Sequence, residues 1–170
     1  ITGGRTAMRI ATYNVEWFAN LFDDAGALLD DGGWSGRQDV TREDQIAALA
    51  QVFRAIDADA VMVIEAPDSS RHRDGALALA NFAALAGIRA REVLIGYPND
   101  TQQEIMLLYD PDMMSARHDP VGFETGKKGS RNPPRFDSTF RIDLDIDATE
   151  DLITFSKPPL EAAIETAQGG

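Results

Sequence analysis

The sequence predicts an α+β fold, a mixed sheet with flanking helices. Three observations carry this. Residues 8–65 read strand, long connection, helix, strand, which is a crossover unit with two parallel strands. Residues 89–109 hold two apolar runs around the turn Pro98-Asn99-Asp100, the pattern of a hairpin. Residues 140–147 alternate apolar and polar without a break, as a half-buried strand does. A crossover followed by hairpins suits a two-layer or four-layer sandwich better than a doubly wound sheet.

The elements follow in order. Residues 8–15 form a buried strand that ends in polar side chains, and residues 16–36 a loop-rich stretch with Gly, Asp and Trp34. Thr41 with Asp44 resembles a capping box and opens a helix whose Ile46, Leu49, Phe53 and Ile56 share one face. Residues 60–65, Ala-Val-Met-Val-Ile-Glu, are a continuous apolar run ending in a carboxylate, as expected of a strand covered on both faces. A turn over 67–74 leads to an Ala/Leu-rich helix over 76–86, stopped by Gly87. Strands are expected over 89–96, 104–109 and near 115–123, and a return strand over 152–155. No element is assigned to the Ala- and Glu-rich segment 160–170. Trp17 and Phe18 fit core or rim positions.

The bulk composition narrows the chemistry. The 170 residues are 44% hydrophobic and 26% charged, ordinary for a soluble domain with a sizeable core. No apolar run reaches the length of a membrane span. The polar residues 1–7 show no signal peptide and read as an upstream or added remnant ahead of a domain over 8–170, which makes the cytoplasm the default location. With no cysteine and only His72 and His118, a thiolate or His-rich metal centre is excluded. Any metal must be held by oxygen, which favours Mg2+, Mn2+ or Ca2+. The net charge of −12 leaves no general positive field for nucleic acid, so a phosphate-bearing substrate needs a local cation or a metal.

Candidate site residues gather at strand ends. The first strand ends Thr12-Tyr13-Asn14-Val15-Glu16 and its parallel neighbour ends Ile64-Glu65. Ligands collect at the carboxyl ends of such strands. Asn14 and Glu16 share a side if the strand persists, and Glu65 can meet one of them. An amide and two carboxylates are oxygen donors that suit Mg2+. The plainer reading is that Asn14 and Glu16 begin a loop and Glu65 caps a turn. The loop 126–135 carries Lys127, Lys128, Arg131 and Arg135 and no acid. It reads either as a contact for a polyanion or as a solvated hairpin loop. Asp143, Asp145 and Asp147 lack the glycine of a calcium loop and read as the wet face of a strand. His72 and His118 are assigned no role.

The residue identities add a resemblance. Arg9-Ile10-Ala11-Thr12-Tyr13-Asn14-Val15-Glu16-Trp17-Phe18 resembles the opening strand of the endonuclease/exonuclease/phosphatase superfamily, the deoxyribonuclease I-like phosphoesterases. Asp59-Ala60-Val61-Met62-Val63-Ile64-Glu65 resembles its second strand, Gln103-Glu104-Ile105-Met106-Leu107-Leu108-Tyr109-Asp110-Pro111 an inner strand, and Phe155-Ser156-Lys157-Pro158-Pro159-Leu160 its Phe-x-Arg-x-Pro segment. The four segments occur in the family's order.

The resemblance implies a magnesium-dependent hydrolase of phosphate esters, a nuclease, phosphodiesterase or phosphatase. Glu65 would be the principal metal ligand, Asn14 would orient the metal or a phosphate oxygen, Glu16 would stand at a second metal position, and Lys157 would contact phosphate in place of an arginine. Lysine keeps the charge but loses the bidentate fork, and a solvent-exposed strand-end lysine is the alternative. The family fold is a four-layer α/β/β/α sandwich whose second half supplies an Asp-x-Asn pair and a Ser-Asp-His segment. Neither occurs here in a suitable context. The resemblance therefore implies an amino-terminal half, truncated before the second half and inactive alone. Its partners would be a phosphate ester, nucleic acid among the candidates, and a second copy through an exposed apolar sheet face. A non-catalytic phosphate- or metal-binding module on the same fold is the alternative.

Overall fold

A computed structural model describes residues 7–96, 104–119, 141–142, 151–152, 157 and 159–167. The chain is α+β. Among these residues a four-stranded mixed sheet carries two helices. β1 (Ile10–Asn14) leads through a short 3-10 helix (Phe18–Leu21) to α1 (Arg42–Ile56), then β2 (Ala60–Ala66), α2 (Gly75–Ala86), β3 (Glu92–Ile95) and β4 (Glu104–Tyr109). β5 (Met114–His118), β6 (Arg141–Ile142), β7 (Asp151–Leu152) and β8 (Ala162–Thr166) follow. The sheet order is β1-β2-β4-β3, with β1 parallel to β2 and β4 antiparallel to both β2 and β3. The expected crossover and hairpin are therefore both present.

The helix ends follow from their sequences. Thr41 accepts a hydrogen bond from the Asp44 backbone N–H at 3.2 Å and donates its hydroxyl to the Asp44 carboxylate at 2.7 Å. Gly87 ends α2 in the left-handed region, φ 65°, where a residue without Cβ is at ease.

Alternation along β2 divides the interior. Val61 and Val63, with Met106 and Leu108 opposite them, face the helices and bury Leu49, Phe53, Leu79 and Phe82. Ring contacts run from Tyr13 through Phe53 and Phe82 to Phe18, tying β1, both helices and the connection together. Ala60, Met62 and Leu107 face the other way. There Met114, Ala116, Ala162 and Ile164 of the β5–β8 pair pack on them, with Leu160. The apolar face expected to be bare is thus covered over β2 and β4. It opens at the edge strand β1, where Ile10 is 62% exposed and Thr12 and Asn14 are exposed.

Several segments differ from the sequence reading, and the strand expected near 115–123 runs over Met114–His118. The strand expected over 89–96 is shorter, because Arg89 is drawn into an ion cluster with Asp57 and Asp59 instead of a ladder. The loop-rich 16–36 is anchored by buried Phe18, Leu21 and Phe22. Segment 160–170 contains β8, antiparallel to β5. Of the strand expected over 140–147 and its return, Arg141–Ile142 pairs antiparallel with Asp151–Leu152. The basic loop 126–135 and Asp143, Asp145 and Asp147 lie outside the described residues. Among the described residues, no helix is long and apolar enough to cross a membrane.

Candidate functional site

The parallel pairing brings two of the expected residues to one end of the sheet. Asn14 lies opposite Ile64, and the Val15 N–H donates to the Ile64 carbonyl at 2.9 Å. Asn14, the last residue of β1, is exposed at the strand end, beside the residue that precedes Glu65.

Glu65 is not an ordinary strand residue. The ladder between β2 and β4 shifts at Ile64/Ala66, so Glu65 is the extra residue of a bulge. Ala66 takes the helix-side place that would follow Val63, and it is buried there. Glu65 itself stands at φ 59°, in the left-handed region that a Cβ disfavours. The bulge therefore frees its carboxylate from the helix-side core. That side chain is 17% exposed, and Lys157 Nζ lies 3.3 Å from its Oε1. Lys157 is 92 residues away in sequence, and its neighbour Leu160 packs on the face opposite the helices.

Glu16 is placed differently. β1 ends at Asn14, and Trp17 turns the chain at φ 63°. The strand continuation that would put Glu16 beside Asn14 is absent. Glu16 is exposed and lies 3.6 Å from an Arg37 guanidinium nitrogen. Among the described residues, no three acidic or imidazole side chains are grouped to hold a metal. Asn14 and Glu65 offer oxygen donors of the kind a hard cation takes.

The sequence reading missed the support behind Glu65. Glu104 stands opposite Ala66 and is completely buried. Its Oε1 accepts the Ser69 N–H at 2.8 Å, while Oε2 has no hydrogen-bond partner among the described residues. Burial pushes this carboxyl up to about 7, and Asp68 and Asp74 push the same way, against the hydrogen bonds from Ser69. Ser69 Oγ in turn accepts the Gly75 N–H at 3.2 Å, so Glu104 fastens the loop after Glu65 to the start of α2. The strand over 104–109 was legible in sequence, but its glutamate gave no sign of what it would bond.

The same loop is clamped from outside. Arg73 bonds Asp68 at 2.7 Å and reaches the Phe22 and Asp23 carbonyls at 3.1 Å. Asn20, Arg71 and His72 stand at the rim of a recess of about 410 Å3 beside this clamp. His118 lies on β5 opposite Ala162. Comparison with known proteins returns no match: no family model, curated protein or solved structure matches the chain.

Proposed function

We propose that the chain forms the metal-binding wall of a phosphoesterase, with Glu65 as the principal ligand and Asn14 beside it. The observation that carries this reading is the setting of Glu65. A glutamate is held in the left-handed region on a bulge, at the carboxyl end of β1 and β2, a backbone conformation that a Cβ disfavours. Strain of that kind collects at functional sites. The carboxylate already holds a cation, the Lys157 ammonium. The order of the family-like segments supports the same reading, and the finer architecture belongs with it: the helices, the sheet and the β5–β8 pair would be layers of half an α/β/β/α sandwich.

A divalent cation bound there would polarise a phosphoryl oxygen. Glu65 would hold the cation, Asn14 would orient it or an oxygen of the ester, and Lys157 would move from the carboxylate to the phosphate. Glu16, paired with Arg37, is a weaker candidate for a second metal position. The family resemblance assigns the base that deprotonates water to a Ser-Asp-His segment, which these 170 residues do not contain.

Mn2+ titration followed by its paramagnetic signal tests the assignment. Glu65→Gln should weaken binding at least about tenfold. Lys157→Gln should tighten it, because the competing ammonium is gone. Equal affinity in Glu65→Gln and the parent would sink the site. Measured beside this, hydrolysis of a generic phosphodiester by the 170-residue chain should stay at background.

A non-catalytic binding module is the second reading. The described residues group no three acidic or imidazole side chains for a metal. A non-catalytic module that binds metal or phosphate would need only the wall present. Sequence encoded beyond residue 170 separates the two readings, since Asp-x-Asn and Ser-Asp-His segments there belong to an enzyme.

A further inference from the structure

The loop between β1 and α1 presents an indole to solvent in a fixed pose. Trp34 is 71% exposed, yet its Nε1–H donates to the Arg37 carbonyl at 2.9 Å. The loop around it is closed by Ser35, whose N–H and hydroxyl both reach the Val40 carbonyl, and by a bridge between Trp34 and Thr41. With its N–H occupied, the ring offers only its π face. It lines an open recess of about 790 Å3 together with Gly33, Gly36, Gln38 and Asp39. Trp17, 52% exposed, backs the same loop, since a Cβ added at Gly36 would stand 3.0 Å from its Cβ and Cγ.

Charge selects the partner. Residues 16–44 contain eight acids and two arginines. Arg42 is held by Asp31 at 2.7 Å, and Arg37 lies 3.6 Å from Glu16 while its buried Nε has no hydrogen-bond partner among the described residues. The stretch therefore carries six more acids than bases, which disfavours an anionic ligand. Asp39, in contrast, makes no hydrogen bond or ion pair among the described residues, and it shares the recess with Trp34. An indole face beside an uncommitted carboxylate attracts a weakly hydrated organic cation.

We propose that the Trp34–Asp39 recess binds a quaternary ammonium group. The ring quadrupole meets the methyl-clad charge, and Asp39 supplies the counter-charge without a directional bond. The site is independent of the metal-binding proposal and stands if that proposal fails.

Ligand-observed NMR with tetramethylammonium and the intact 170-residue chain, without metal, tests this. Saturable binding is expected, weakened about tenfold by Trp34→Ala and by a smaller factor by Asp39→Asn. Asp39→Asn keeps the side-chain shape and so guards against a folding artefact in the tryptophan variant. Choline should bind and its uncharged isostere, with carbon in place of nitrogen, should not. Absence of saturable binding, equal binding of the isostere, or unchanged affinity in Trp34→Ala would overturn the proposal. So would displacement of tetramethylammonium by a nucleoside monophosphate, which would make Trp34 a base-stacking surface. Phosphocholine and a trimethyl-lysine peptide, compared with choline, identify the source of the ammonium.

Discussion

Arg89→Met is expected to destabilise the fold by about 3–5 kcal/mol, the usual result of stranding buried carboxylates. Arg89 joins three aspartates. It bonds Asp57 at 2.8 Å, it bonds the fully buried Asp59, and it lies 3.5 Å from the buried Asp110. Burial opposes the charge of Arg89, but its bonds to Asp57 and Asp59 outweigh this and push its pKa above the ordinary value. The cluster is also a junction. Asp59 accepts the Arg9 N–H at 2.6 Å beside β1, and its carbonyl accepts the Asp110 N–H at 2.8 Å after β4. Arg91 cannot replace Arg89, since it stands 3.7 Å from Asp110 and is half exposed. Urea unfolding at neutral pH measures the loss, and a cost below about 1 kcal/mol would show that water or rearrangement satisfies the aspartates. The double variant with Asp59→Asn should recover part of the stability, because the stranded charge is removed.

The second large effect is a gain. Glu104→Gln should stabilise the protein above pH 7 and leave it nearly unchanged near pH 4. The sign follows from the raised pKa. A carboxyl that titrates near 7 when folded and near 4.5 when unfolded binds its proton more tightly in the fold. The stability it contributes is full below the unfolded value and is lost as pH rises through about 7. A shift of this size is worth on the order of 3 kcal/mol. Glutamine removes the charge and keeps an oxygen for the Ser69 N–H. Thermal unfolding of parent and variant across pH 4–9 gives the two curves. Parallel curves would mean that Glu104 stays charged at neutral pH and is compensated by a partner outside the described residues.

Much of the fold was legible because local signals agreed with the global pattern. The apolar run 60–65, the Thr41 cap and the Gly87 stop each mark an element or its boundary, and tertiary packing left them in place. Legibility fell where long-range contacts decide. Arg89 looked like the start of a strand, and only the convergence of Asp57, Asp59 and Asp110 makes it an anchor. β8 had no pattern of its own, since Ala162–Thr166 becomes a strand by pairing with β5. Asn14 and Glu65 were chosen from strand ends and family-like identities, and the pairing of β1 with β2 brings them to one end of the sheet. The bulge was not, because a left-handed glutamate leaves no local mark. Glu16 was misjudged by extending β1 past Asn14, where Trp17 turns the chain. Lys157 was chosen by resemblance, and its approach to Glu65 depends on a segment 92 residues away.

The backbone at Glu65 carries one further consequence, for how this protein would change under selection. Glycine fits φ 59° without strain and asparagine nearly so, while glutamate does not. A library screened only for thermal endurance would therefore drift toward glycine or asparagine at position 65. A library screened for metal-dependent chemistry would hold the glutamate against that drift. On the proposed metal role, position 65 is a single codon at which durability and reactivity ask for different residues.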